Sequence, residues 1–181
     1  MRLAPYFLFS TLNHPLSTLP MRRFALFALV AAVLAGFLFW WFSPGQVVKR
    51  RTKTLIDLAN LEAGTGTASR ALGTFTLTKL LDDPVTLSVP SVEEANGRFA
   101  RQELEAGYQW FCRSAKESRV KVTGFDEISV VGDEATVRAT LDAQVVFPTY
   151  RPSDGPVQAT FEWRKRDDGW RLVRLVWENA P

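Results

Sequence analysis

"ATFEWRKRDDGWRLVRLVWEN", Ala159 to Asn179, alternates apolar and polar residues on either side of an acidic turn. Successive side chains of a strand point to opposite faces, so the segment reads as a β-hairpin. Two loops compete. A two-residue loop at Asp168-Gly169 sets Glu162 against Leu175 and Trp163 against Arg174, which mixes polar and apolar residues on both faces. A three-residue loop, Asp167-Asp168-Gly169, sets Trp163 against Val173, Phe161 against Leu175 and Glu162 against Arg174. One face is then apolar and the other holds an ion pair. A one-residue slip exchanges the faces, so the clean separation selects the three-residue loop, with Gly169 in its left-handed position.

Upstream the period of two persists. Strands are expected at Val120–Val130, Glu134–Phe147, Val157–Arg164 and Trp170–Trp177, with "VGDE" as a turn and "PTYRPSDGP" as a longer loop. Before Val120 the period becomes helical. Over Phe99–Glu117, Ala100, Leu104, Gly107, Tyr108, Phe111 and Ala115 form one stripe, with Trp110 off it. "VTLSV", Val85–Val89, reads as a short strand between prolines, and "ASRALGTFTLTKLLDDP" as a short helix ending near Asp82. A further helix is expected over Gln46–Ala63, closed by Gly64 and Gly66. Its apolar face is Val48, Thr52, Leu55 and Ala59, and Lys49, Arg50, Lys53 and Asp57 lie opposite. The class is α+β, with about three helices and an antiparallel sheet.

"ARQELEAGYQWF", "VTGFDEISVVGDEATVRATLDAQVVF" and "ATFEWRKRDDGWRLVRLVWEN" make residues 46–179 resemble the nuclear transport factor 2-like superfamily, which includes SnoaL-like proteins and shares the cystatin-like fold. The resemblance implies a cone, with the helices packed on a curved sheet and a pocket between them. It also implies that an enzyme of this kind would use a pocket carboxylate or histidine. A membrane span ahead of such a fold is similar, in architecture only, to bacterial inner-membrane assembly factors of type IV secretion systems.

The span is "FALFALVAAVLAGFLFWWF", Phe24–Phe42, 19 residues without a charge. A membrane helix needs roughly 17–25 apolar residues, and a signal h-region has about 7–15. The only small-residue step is "VLAG", and cleavage there would leave Phe37 to Phe42 as an exposed apolar end. Trp40 and Trp41 suit an interfacial belt. An uncleaved anchor is expected. Residues 1–23 are either a short tail or include a true start at Met21, and they hold the only histidine, His14.

Of the 22 Lys and Arg, three precede Gln46, which leaves 19 against 19 Asp and Glu. Lys49, Arg50, Arg51 and Lys53, with Arg22 and Arg23 on the other side, form membrane flanks able to meet a lipid bilayer. The domain beyond them has no basic surplus, so no nucleic-acid partner is expected. Arg22 and Arg23 favour a cytoplasmic N-terminus and a periplasmic or otherwise extracytoplasmic domain. The four bases after the span oppose that orientation, but long domains cross largely regardless of charge.

The candidate chemistry is sparse. On Glu134–Phe147 the apolar face is Ala135, Val137, Ala139, Leu141, Ala143, Val145 and Phe147. Arg138, Asp142, Glu162 and Arg174 share the polar face, which is either a solvated surface or an oligomer interface. Strict alternation places Asp126 with Val120, Val122, Ile128 and Val130, where a buried carboxylate could act as a base. A bulge at Gly124 would instead turn it to solvent. Cys112 reads as a core residue. Tyr108, Phe111, Phe161, Trp163 and Trp177 are the expected pocket lining. No phosphate loop, metal cluster or nucleophile elbow appears, so no metal or cofactor is expected. The reading is a membrane-anchored, non-catalytic binding or assembly module with a protein partner or a second copy of itself. The alternative is a small-molecule-binding or isomerase/cyclase-like enzyme that uses the cone pocket.

Overall fold

The computed structural model describes residues 19–61, 67–90, 92–149 and 153–179. Residues 1–18 with His14, and the helix-closing Gly64 and Gly66, lie outside the described residues. The chain divides into two compact units, Met1–Trp40 and Trp41–Pro181.

The first unit holds helix α1, Leu19–Trp41, except its last residue, Trp41, which belongs to the second unit. From Phe24 on, its side chains are exposed. By length and composition, Phe24–Trp41 could cross a membrane, and a signal sequence would meet the same criterion.

The second unit contains α2 (Pro44–Leu58), α3 (Thr67–Leu80), β1 (Leu81–Ser88), a 3-10 turn (Glu93–Ala95), β2 (Gly97–Phe99), α4 (Arg101–Ser114), β3 (Glu117–Val131), β4 (Glu134–Val146), β5 (Ser153–Arg166) and β6 (Gly169–Asn179). The strands form one six-stranded sheet in the order β2-β1-β6-β5-β4-β3. The architecture is the expected α+β cone of helices on a curved sheet.

The sheet is mixed rather than wholly antiparallel, because β1 runs parallel to β6. α3 stops at Leu80, two residues short of the expected end, and β1 starts at once. Leu81 pairs with Leu172 and Thr86 with Arg174, so the ladder is interrupted between them. Pro84, which has no N–H to donate, sits in that interruption. Phe99 pairs with Val85 and Glu117 with Val146, so both ends of the expected Phe99–Glu117 helix belong to strands. The helix between them begins where Glu103 Oε2 accepts the Ala100 N–H at 2.7 Å. α2 starts with Pro44 in its first turn and ends at Leu58, ahead of the expected Ala63. There the chain turns to β3: Asn60 Oδ1 accepts the Val120 N–H at 2.6 Å, and Leu61 bridges Ser118.

The β5–β6 hairpin keeps two expected pairs, Phe161 with Leu175 and Glu162 with Arg174. It loses the third. Trp163 faces Leu172, and the loop is two residues, Asp167-Asp168, between paired Arg166 and Gly169. Val173 is therefore a bulge. Without it, strict alternation would turn Trp170 and Leu172 outward and Arg171 inward. The extra residue instead leaves Trp170 4% and Leu172 1% exposed. Gly169 takes φ +121°, and a Cβ on it would lie 2.5 Å from Arg51 Nη2. The segment expected as a long loop is partly strand, since Ser153 pairs with Val145 and Pro156 with Asp142.

β3 carries two register shifts, between Val122 and Gly124 and between Phe125 and Glu127. The first reverses the alternation and the second restores it, so Val122, Phe125 and Ile128 all pack on the core. Asp126 is left exposed. Val137, Ala139, Leu141 and Ala143 on β4 are fully buried, as the period of two requires. Leu61, Cys112, Ala115 and Phe147 form a separate, smaller cluster.

Candidate ligand cavity

The apolar stripes of α2 and α4 face the sheet but do not fill the space above it. A cavity of about 510 Å³ remains, within the roughly 300–1,000 Å³ of small-molecule sites. Its inner wall includes Val120, Phe161, Leu172, Leu175 and Trp177 from the sheet. The helical wall includes Leu55, Ile56 and Leu58 from α2 and Leu104, Tyr108 and Phe111 from α4. Glu94, Glu103, Gly107 and Trp110 line it and are solvent-exposed, so they mark its mouth.

Tyr108 brings a hydroxyl to this wall, and the hydroxyl is committed: it donates to the Leu58 carbonyl at 3.1 Å. Burial first, and then the neighbouring Cys112 thiol, push its phenol well above the ordinary tyrosine range. It stays protonated at neutral pH and makes a poor general acid. Gly73 of α3 lies against it, and a Cβ there would overlap the Tyr108 hydroxyl. Trp110 stacks on Phe147 with ring centroids 5.4 Å apart, which fixes one side of the mouth.

Four of the five expected lining residues, Tyr108, Phe111, Phe161 and Trp177, border the cavity. Trp163 does not. It is packed into the core with 1% exposure, and its Nε1 has no hydrogen-bond partner among the described residues. Asp126 lies away from the cavity, where it accepts the Thr140 hydroxyl at 2.8 Å at an exposed position. The bulges of β3 place it there, in line with the solvent-facing alternative.

Arg138, Asp142, Glu162 and Arg174 lie at outward positions on β4, β5 and β6. Arg138 pairs with Glu127 at 3.5 Å and Arg174 with Glu162 at 3.7 Å, both at half-exposed positions. Such pairs contribute about 0–1 kcal/mol each.

The basic run after α1 divides its roles. Lys49 Nζ stands 4.8 Å from the Phe125 ring centroid. Arg50 stacks over Trp41 at 4.4 Å and donates to its carbonyl at 2.8 Å. Arg51 is drawn into the fold and donates to the Trp170 carbonyl at 2.7 Å. Burial, then the nearby Arg171 cation, lower its pKa. Lys53 is exposed. Arg22 and Arg23 lie within α1. Beside Arg51, Arg171 pairs with Asp168 and donates to the Thr78 and Leu81 carbonyls at 2.8 and 3.0 Å. Arg166 pairs with Asp82 at 2.6 Å. Burial, the largest single effect, would raise the Asp82 carboxyl, but the Arg166 hydrogen bonds, the Asp83 backbone N–H and the charges of Arg166 and Arg164 together outweigh it and hold the carboxyl below its usual value. These contacts join the end of α3 to the β5–β6 turn, at a distance in sequence that local patterning does not reveal.

Sequence reasoning missed Glu94 and Glu103 at the mouth. Glu103 had a local signal, a glutamate three residues after a helix start; Glu94 had none. Among the described residues no group of three or more His, Cys, Asp or Glu is arranged to hold a metal.

No protein-family model and no curated protein matches the chain. Its fold does match solved structures. A nuclear transport factor 2-like superfamily protein from Salmonella enterica superposes with a TM-score of 0.60 at 12% identity, over 77% of this chain and 92% of that one. An NTF2-like protein from Cytophaga hutchinsonii gives 0.55 at 16% identity, over 74% and 96%. A cystatin-like domain of unknown function from Nostoc punctiforme gives 0.53 at 14% identity, over 77% and 79%. The likeness is one of fold.

Proposed function

We propose that this chain is a membrane-anchored, non-catalytic binding module whose cone cavity holds an apolar small molecule. The observation that carries this reading is the cavity wall: about 510 Å³ bounded by leucine, phenylalanine and tryptophan side chains, with its phenol already bonded to a backbone carbonyl. Among the described residues the only carboxylates that line it, Glu94 and Glu103, stand at the exposed mouth. The exposed position of Asp126 supports binding over isomerase- or cyclase-like chemistry. The length and exposed apolar surface of α1 support the anchor. The ion pairs on the outer sheet face support a solvated surface there more than a contact with a protein partner or a second copy.

Full-length protein in phosphatidylcholine nanodiscs tests the reading by calorimetric titration with naphthylmethanol, an apolar probe. Saturable binding is expected, and Leu104→Trp, which pushes an indole into the cavity, should abolish it while the circular dichroism spectrum is kept. Absence of saturable binding, or equal binding by Leu104→Trp, would refute the cavity as a binding site.

A further inference from the structure

The cavity separates its chemistry by depth. Among the described residues its inner wall carries no charged group, and the Tyr108 hydroxyl has already given its proton to the Leu58 carbonyl. A buried polar group without a partner costs about 1–3 kcal/mol, so any polar end of a ligand belongs at the mouth. At the mouth the chain places two carboxylates from separate elements, Glu94 on the 3-10 turn and Glu103 in the first turn of α4. Among the described residues no Lys, Arg or His lines the cavity. Glu103 is held in place, since its Oε2 accepts the Ala100 N–H at 2.7 Å. The Glu94 carboxylate makes neither a hydrogen bond nor an ion pair with the described residues. Its neighbours Val92 and Ala95 also line the cavity, so the turn presents an apolar edge together with the charge.

We infer that the cavity selects an apolar molecule bearing an ammonium group, its body between α4 and the sheet and its cationic end between Glu94 and Glu103. The inference rests on the cavity reading above and adds the sign of the ligand's charge. A carboxylate-ended amphiphile, the most obvious rival for an apolar cavity, would bring a third negative charge to the same mouth. A neutral alcohol would gain hydrogen bonds without the Coulombic attraction. Exposed pairs are screened, so the selectivity is modest and depends on salt.

Three probes of one shape separate the cases: naphthylmethylamine, naphthylmethanol and naphthoic acid. Each is titrated calorimetrically into the full-length chain in phosphatidylcholine nanodiscs at low ionic strength, with empty nanodiscs subtracted. The amine should bind about tenfold more tightly than the acid, a difference of about 1.4 kcal/mol, with the alcohol between them. Added salt should narrow the gap. In the Glu94→Gln/Glu103→Gln double variant the three should bind alike. The amide that replaces the Glu103 carboxylate keeps a side-chain oxygen for the Ala100 cap, so the variant should fold, and its alcohol affinity reports whether the cavity survives. Equal binding of all three probes by the wild type, tighter binding of the acid, or a ranking that persists in the double variant would each overturn the charge selection while leaving the cavity reading intact. Failure of all three probes to bind would overturn both.

Discussion

Replacing Gly73 by alanine tests whether α3 and α4 pack as closely as the cavity wall requires. Position 73 is buried inside a helix, and alanine is intrinsically favoured over glycine there by about 1 kcal/mol. Propensity alone therefore predicts stabilisation. The structure predicts the reverse, because the new Cβ would overlap the Tyr108 hydroxyl and stand 3.0 Å from Cζ and 3.1 Å from Cε1. The ring cannot retreat freely, since its hydroxyl is bonded to Leu58 and lies against Cys112. Overpacking of this kind costs about 1–3 kcal/mol, so the net change is a loss of about 0–2 kcal/mol. For a domain of this size that lowers Tm by about 4 °C per kcal/mol. Tyr108→Phe alone gives up the bond to Leu58, worth about 1 kcal/mol. It also removes the atom that clashes. The double variant should therefore be more stable than the sum of the single losses by about 1 kcal/mol or more. Thermal unfolding of the full-length chain in nanodiscs, followed by circular dichroism, measures all four proteins. A Gly73→Ala variant at least as stable as wild type, with effects additive to Tyr108→Phe, would refute the close packing of α3 on α4.

Gly169→Ala should lose at least about 1 kcal/mol of stability in the same assay, because φ is +121° and the Cβ would strike Arg51. Arg51→Ala/Gly169→Ala should recover the steric part of that loss but not the backbone part. Asp82, whose folded pKa lies below its unfolded value, stabilises the fold above the ordinary carboxylate range and ceases to do so as pH falls through the folded pKa. Asp82→Asn should accordingly lower Tm at neutral pH and leave a flatter acid limb, and an unchanged acid limb would show the Arg166 pair to be inert. If α1 is retained as an anchor, the full-length chain should stay in a carbonate-washed membrane pellet, and a C-terminal alkaline phosphatase fusion should be active. A soluble mature protein starting near Gly36 would defeat the anchor, whereas an inactive fusion beside an active cytoplasmic reporter would defeat only the orientation.

Local periodicity carried most of the secondary structure. Four long strands, the stripes of α2 and α4 and the apolar face of β4 follow from side-chain direction alone, which depends on the backbone and on few neighbours. The pairing of Glu162 with Arg174 was legible for the same reason, since a clean division of faces identifies a register. Four cavity residues, Tyr108, Phe111, Phe161 and Trp177, could likewise be named because they lie on apolar faces that must meet across the helix–sheet interface. The irregularities were not legible. Val173 bulges because Trp170 and Leu172 are worth more inside the core than a regular ladder, and that preference exists only once the helices are in place. The two shifts in β3 that expose Asp126 arise in pairing with β4. Arg51 sits in a run of bases that looks like a membrane flank, and only the approach of the Trp170 carbonyl, 119 residues away, makes it a strut. The parallel β1–β6 pair is likewise a contact between distant segments, and Glu94 and Glu103 border one cavity only once α4 and the sheet have enclosed it. Spacing along the chain reports which way a side chain points, whereas the partner that waits there is set by tertiary packing.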